Sequence, residues 1–260
     1  MNDQGETQMP FHARVTTAPV RVLRRHAIVG AAALFGEAAA AEGKIHWTTD
    51  LTASSAILDR GEQIGGDTIE MGASIETSVQ NVTLYTSFYR LLPVGSDQDA
   101  FDDEADYTVG AVFQSEALVA DISVSRLTYP GEGAEASTEL MGIFDFDAPF
   151  SPRVIGFYDA DFGDWGLEAS VQPSRDAGDW TVYAMVRTGF VAPGDGSANR
   201  SYAGMEIGAL RPLSTKVELG VFARAEVADE ESYADKILHG LITRARDQSM
   251  AAGISLSVSG

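Results

Sequence analysis

The sequence predicts an all-β protein: a transmembrane antiparallel up-and-down β-barrel of about twelve strands. Three observations carry that expectation. Apolar and polar residues alternate with period two in segment after segment, the pattern of strands with unlike faces. Each segment is close to the roughly 9 to 11 residues that a tilted strand needs to cross a bilayer. The connections also alternate, long and polar after odd-numbered segments and mostly compact after even ones, as in bacterial barrels with short periplasmic turns. A soluble sandwich shares the first property but has no reason to show the third.

The first segment sets Ile45, Trp47, Thr49, Leu51, Ala53 and Ile57 on one face and His46, Thr48, Asp50, Thr52 and Ser54 on the other. After a polar loop at 59–67, Ile69, Met71, Ala73 and Ile75 alternate with Glu70, Gly72, Ser74 and Glu76. Val82, Leu84, Thr86 and Phe88 mark the third segment, and an acidic loop at 93–106 follows. Next comes the clearest hairpin, Tyr107, Val109, Ala111 and Phe113 followed by Leu118, Ala120, Ile122 and Val124. Its join at Ser115 and Glu116 is flanked by long polar loops, so it is predicted to be periplasmic, with Ile122 and Val124 against lipid and Asp121 in the lumen. Beyond the loop at 130–137 lie Leu140, Gly142 and Phe144, then Val154, Gly156, Tyr158 and Ala160, then Trp165, Leu167, Ala169 and Val171. The connections at 162–164, short, and 173–179, long, break the alternation. Trp180, Val182, Ala184, Val186 and Thr188 precede the loop at 192–201, and Met205 and Ile207 lead through a compact turn to Val217, Leu219, Val221 and Ala223. Met250, Ala252, Ile254, Leu256 and Val258 end the series. Trp47, Tyr107, Phe113, Tyr158, Trp165, Trp180 and Phe190 fall on apolar faces, mostly near segment ends, where interfacial girdles sit. Ordinary core packing is the competing reading of those rings.

Composition narrows the rest. With 38 acidic and 18 basic residues the formal charge is −20, which repels nucleic acid and suits cationic solutes. No cysteine is present, which leaves neither a disulfide framework nor a thiolate metal site. No run approaches the roughly 20 apolar residues of a spanning helix. Arg21, Arg24 and Arg25 precede an apolar run at 27–35 and small residues at 38–41, the order of a secretory signal peptide. Residues 1–41 are therefore expected to be a leader and 42–260 the barrel.

Catalysis has little to work with. His12 and His26 lie in the leader, which leaves His46 and His239, and neither stands beside a patterned nucleophile. No HExxH or phosphate-binding loop is present, and neither a catalytic residue nor a cofactor is expected. Two carboxylate groups invite a calcium reading, Asp97, Asp99, Asp102, Asp103, Glu104 and Asp106 in one, Asp159, Asp161 and Asp164 in the other. Neither has the spacing of a calcium loop, and a solvated loop is the simpler account. Ile237, Leu238, Leu241 and Ile242 recur at helical spacing and suggest a short amphipathic helix in the last loop, with strand extensions as the alternative.

Projected by alternation, Asp50, Glu70, Glu76, Asp121, Glu139, Asp145, Asp159, Glu168, Glu206, Glu218 and Glu226 face the lumen, with Arg187 and Arg224 among them. The expected pore-lining set is Asp50, Glu70, Glu76, Asp121, Glu168, Arg187, Glu206, Glu218 and Arg224. An open acidic lumen concentrates cations. The same acids and bases, paired as Glu218 with Arg224 or Arg187, instead rigidify a filled interior.

The chain resembles the TorF-type porin family of proteobacterial outer membranes. The resemblance rests on a first strand ending Leu58-Asp59-Arg60-Gly61, on DYTVGAVF, RLTYPG, the strand at Thr138-Glu139-Leu140, DFDAPFSPRVIGFYDADFGDWGLEAS and YAGMEIGALRPLS. It implies a single barrel in the outer membrane of a Gram-negative bacterium and passive solute passage, which the acidic inward faces narrow to small polar or cationic solutes. The partners it implies are membrane lipid, lipopolysaccharide and the barrel-assembly machinery. A plugged structural or binding barrel, its loops on lipopolysaccharide or an extracellular partner, is the alternative. One departure is the ending Ser257-Val258-Ser259-Gly260, where such barrels commonly finish in an aromatic residue. N-terminal sequencing of the exported protein is expected to begin close to residue 42; an intact Met1 on that material contradicts the leader.

Overall fold

A computed structural model describes residues 44–94, 103–130, 135–196, 198–229, 236–238, 241–243 and 248–260. The expected leader and its cleavage point, His239, Asp97, Asp99 and Asp102 lie outside the described residues. The strands are β1 (Ile45–Ser54), β2 (Ile57–Asp59), β3 (Glu62–Gly65), β4 (Thr68–Val79), β5 (Val82–Pro93), β6 (Glu104–Gln114), β7 (Leu118–Tyr129), β8 (Glu135–Phe146), β9 (Arg153–Asp159), β10 (Trp165–Val171), β11 (Ser174–Ala177), β12 (Trp180–Ala192), β13 (Arg200–Pro212), β14 (Val217–Ala228), β15 (Lys236–Leu238), β16 (Leu241–Thr243) and β17 (Gln248–Ser259).

Twelve of these close into one antiparallel barrel. Each barrel strand pairs with its sequence neighbours, and the ring shuts where β1 meets β17, from Thr48 opposite Ser259 to Ser54 opposite Gly253. Closure leaves no sheet edge, which a bilayer demands because it offers no water to unpaired backbone groups. The backbone of Trp47 and that of Gly260 exchange two hydrogen bonds of 3.0 Å and extend that seam.

The barrel is inverted relative to a soluble protein. Leu51, Ile75, Leu84, Val109, Ile122, Leu140, Val186, Met205, Ile207 and Ile254 all lie exposed on its outside, while Thr52, Ser74, Glu76, Asp121, Ser123, Ser125, Glu168 and Glu206 are buried within. An apolar outer surface of this extent has lipid as its solvent. Ile122 and Val124 face out and Asp121 faces in, as their alternation predicts. Aromatic rings pack in pairs near the long-loop end, Phe88 with Tyr107 at 5.3 Å between ring centres and Trp165 edge-on to Phe190 at 5.1 Å. The connection at 173–179 resolves into β11, which continues β10 along β12 and leaves only Gly178 and Asp179 as the turn.

Three expectations are corrected. The first strand ends at Ser54, and Leu58 to Gly61 belong to a separate hairpin, β2–β3. Ile57 is consequently not on the outer face; it packs inside on Tyr89 and Leu91, while Leu58 packs with Ala56 and Ala251. Above the bilayer an outward Ile-Leu pair meets water, so turning inward buries apolar surface otherwise lost. At 237–242 the suggested helix gives way to strands, the alternative reading, as the short β15–β16 hairpin with Ile237 opposite Ile242, consistent with the β-branched residues there. Glu104 and Asp106 are not loop residues; they start β6 and are buried inside the barrel.

Ile207 sits near the middle of β13 and faces outward. Ile207→Arg is expected to lower the unfolding free energy of the barrel in lipid vesicles by about 2–4 kcal/mol, measured by denaturant titration. A loss below about 0.5 kcal/mol, the range of ordinary surface changes, contradicts a lipid-facing position.

Candidate functional site

The hairpin β2–β3 is the feature that the twelve strands enclose. Asp59 pairs with Glu62, which leaves Arg60 and Gly61 as a two-residue turn. Both have positive φ, 49° and 87°, the condition of a type I′ turn. Gly61 is required twice over, since a Cβ on it would overlap Tyr202 and stand 2.9 Å from Cβ of Ala228. The tip is held by its backbone. Gly61 N–H donates to Glu226 Oε2 at 2.9 Å, and Arg200 Nε donates to the Arg60 carbonyl at 3.1 Å.

The Arg60 side chain makes contacts of its own. Its Nη2 donates to Glu139 Oε2 at 2.7 Å, and its guanidinium carbon stands 3.4 Å from the centre of the Phe157 ring. Burial alone would lower the Arg60 pKa, but the Glu139 and Asp59 carboxylates outweigh it and hold the guanidinium above its ordinary value. Arg60 is therefore a permanent cation inside the barrel mouth.

Around the tip and further down the lumen runs a network of acids, bases and tyrosines. Arg187 pairs with Glu226 and lies 3.8 Å from Glu168, whose Oε2 also accepts from the Tyr202 hydroxyl at 3.0 Å. Arg224 Nε donates to Glu206 Oε2 at 2.7 Å, and the Tyr183 hydroxyl donates to Glu206 Oε1 at 2.8 Å. Tyr89 donates to Glu70 at 2.9 Å, and Tyr85 to Asp121 at 3.0 Å. Charges this far from bulk water persist only when partners offset their desolvation.

Register explains how these groups meet. Glu206 and Arg224 stand directly opposite on β13 and β14. Arg187, Gly204 and Glu226 form one row across β12, β13 and β14, and the missing side chain at Gly204 lets the outer two join over it. Glu168, Gly189 and Tyr202 form a second such row across β10, β12 and β13. Tyr85, Tyr183, Phe157 and Phe222 each face a glycine across the ladder, at Gly110, Gly208, Gly166 and Gly253. A Cβ at Gly110 would lie 2.5 Å from Tyr85 Cζ, so these rings lie flat against the wall only because the glycines leave room.

Of the expected lining residues, Glu168, Arg187, Glu206 and Arg224 converge on the hairpin together with Glu139 and Glu226. Glu70 lies within 3.5 Å of Ser54 Oγ, and Asp121 sits lower, under Tyr85. Glu76 is buried opposite His46, Asp50 is half-buried, and Glu218 is half-buried beside the turn into β14. The suggested Glu218–Arg224 pair does not form. Six residues apart on one strand, the two are separated by about 20 Å. The suggested Glu218–Arg187 pair gives way to Arg187 with Glu226. Arg60, Phe157 and the four tyrosines were not expected in the site, although Phe157, Tyr183 and Tyr202 all carry the inward parity of their strands.

The carboxylates read as calcium candidates serve the loops. Asp159 Oδ1 accepts the backbone N–H of Asp161 and of Phe162, each at 2.9 Å, Asp164 accepts that of Gly194 at 2.8 Å, and Asp161 pairs with Arg126. Asp103 pairs with Arg90. No group of three potential metal ligands occurs among the described residues. Beside the hairpin, between Leu58, Arg60, Phe157, Arg187 and Tyr202, a cavity of about 40 Å³ remains, space for a water or two.

These features define an outer-membrane-type barrel with a charged interior and an in-folded first hairpin. Known structures share the fold. An outer-membrane channel from Pseudomonas putida F1 superposes with a TM-score of 0.50 at 9% identity, covering 85% of this chain and 97% of that one. LpxR from Salmonella typhimurium does so with a TM-score of 0.50 at 10% identity, covering 81% and 99%. The NanC porin gives 0.48 at 7% identity, covering 81% and 98%. No family model and no curated protein matches the sequence.

Glu206→Ala takes from the buried Arg224 guanidinium and the Tyr183 hydroxyl the carboxylate that they share and is expected to cost about 3–5 kcal/mol, read by denaturant unfolding in detergent. Adding Arg224→Met should recover most of that loss. A single variant within about 1 kcal/mol of the parent, the scale of an exposed pair, contradicts the network.

Proposed function

We propose that the chain is an outer-membrane channel of the TorF-type porin family, passing small polar or cationic solutes by diffusion, and that it catalyses no reaction. The observation that carries this reading is a closed barrel whose charged lumen is narrowed from within by the β2–β3 hairpin. Glu70, Glu76, Glu168, Glu206 and Glu218 set the selectivity, Asp50 and Asp121 line the lumen with them, and Arg187 and Arg224, joined by Arg60, shape the constriction. Carboxylates in a low-dielectric channel lower the energy of an entering cation and raise that of an anion. The outer face lies in lipid, with lipopolysaccharide around the long loops and the barrel-assembly machinery as the route of insertion. The same hairpin also favours a second reading, a plugged barrel whose loops bind lipopolysaccharide or an extracellular partner.

Planar-bilayer recording separates the two. The intact barrel is expected to conduct with a preference for potassium over chloride, and replacing residues 56–66 by a short Gly-Ser linker should enlarge the conductance severalfold. Silence from both proteins supports the plugged barrel, and an anion preference overturns the acidic channel.

A further inference from the structure

Arg60 carries a group that resembles a solute. Its planar guanidinium lies on the Phe157 ring and donates to the Glu139 carboxylate, and Glu139 is only 3% exposed. Met141 and Ile155 line the same recess, and Phe157 is backed by Val191 and Tyr202. An aromatic face, a buried carboxylate and an apolar collar form a receptor for an organic cation. The collar discriminates against a hydrated metal ion, which would have to shed water to enter.

The hairpin has anchors besides that side chain. The tip is fixed by the Gly61 N–H on Glu226 and by the Arg60 carbonyl under Arg200, both backbone groups of the hairpin. We propose that Phe157 and Glu139 form a binding subsite for guanidinium- or alkylammonium-bearing solutes, occupied by Arg60 when no solute is present. The inference rests on the channel reading: an incoming organic cation exchanges with Arg60, and the chain's own arginine returns as the solute moves on.

Arg60→Gly empties the subsite and relieves the positive φ at that position, so the turn is retained. Calorimetric titration of methylguanidinium into the detergent-solubilised full chain reads the subsite directly. Arg60→Gly is expected to bind methylguanidinium at least about tenfold more tightly than the parent. Adding Glu139→Gln or Phe157→Leu should cancel that gain, and sodium should not compete. Equal binding by parent and Arg60→Gly, or a gain that survives Glu139→Gln, overturns the proposal. Should Arg60→Gly not yield the heat-modifiable gel band of a folded barrel, Arg60→Gln is titrated instead, with the same two outcomes. Binding without bilayer current fails the channel reading alone, whereas current without binding fails this inference alone.

Discussion

The Glu226 carboxylate is the point at which the barrel wall and the element inside it are tied together. One oxygen accepts the Gly61 amide at the hairpin tip, and the other faces the Arg187 guanidinium across the gap at Gly204. Remove it and the buried Arg187 loses its nearest carboxylate and falls back on Glu168 at 3.8 Å, while the hairpin loses a main anchor. The remaining contacts are arranged around that tie. Tyr202 supports Glu168 and at the same time packs on Gly61, so one side chain serves both wall and hairpin.

The lumen is sided. Across β8 and β9 it presents Met141, Ile143 and Ile155, a small apolar patch, whereas across β12, β13 and β14 it presents charged pairs. The hairpin bridges them, with Ile57 and Leu58 on apolar neighbours and Arg60 reaching Glu139.

Much of this architecture is legible in the sequence, for a physical reason. A barrel strand has one face in lipid and one in the lumen, so period two is written into every segment, and Asp121, Glu168, Glu206 and Arg187 could be projected inward from parity alone. The hairpin was not legible, because Asp59-Arg60-Gly61-Glu62 is as good a surface turn as an inward one, and only tertiary contacts decide. Ile57 and Leu58 held a weak clue: two adjacent large apolar residues cannot both face lipid on a strand. The glycines held a stronger one. Gly110, Gly189, Gly204 and Gly208 sit at inward parity beside tyrosines or charges, a pattern that marks where larger neighbours cross. At Ile237 to Ile242, helical spacing competed with β-branching over too short a span for periodicity to settle it.

The central claim, that the first hairpin is clasped inside the barrel by Glu226, can be read with a single thiol because the chain has no cysteine. Leu58 is buried at 5% exposure, whereas Ser214 lies in an exposed turn. The measurement is the rate at which a membrane-impermeant maleimide labels Leu58→Cys in the folded barrel, set against Ser214→Cys. The expected result is labelling at least about tenfold slower at position 58, as for a site that must await local opening, and fast labelling once Glu226→Ala is added. Equal rates at the two positions in the otherwise unaltered barrel would contradict it.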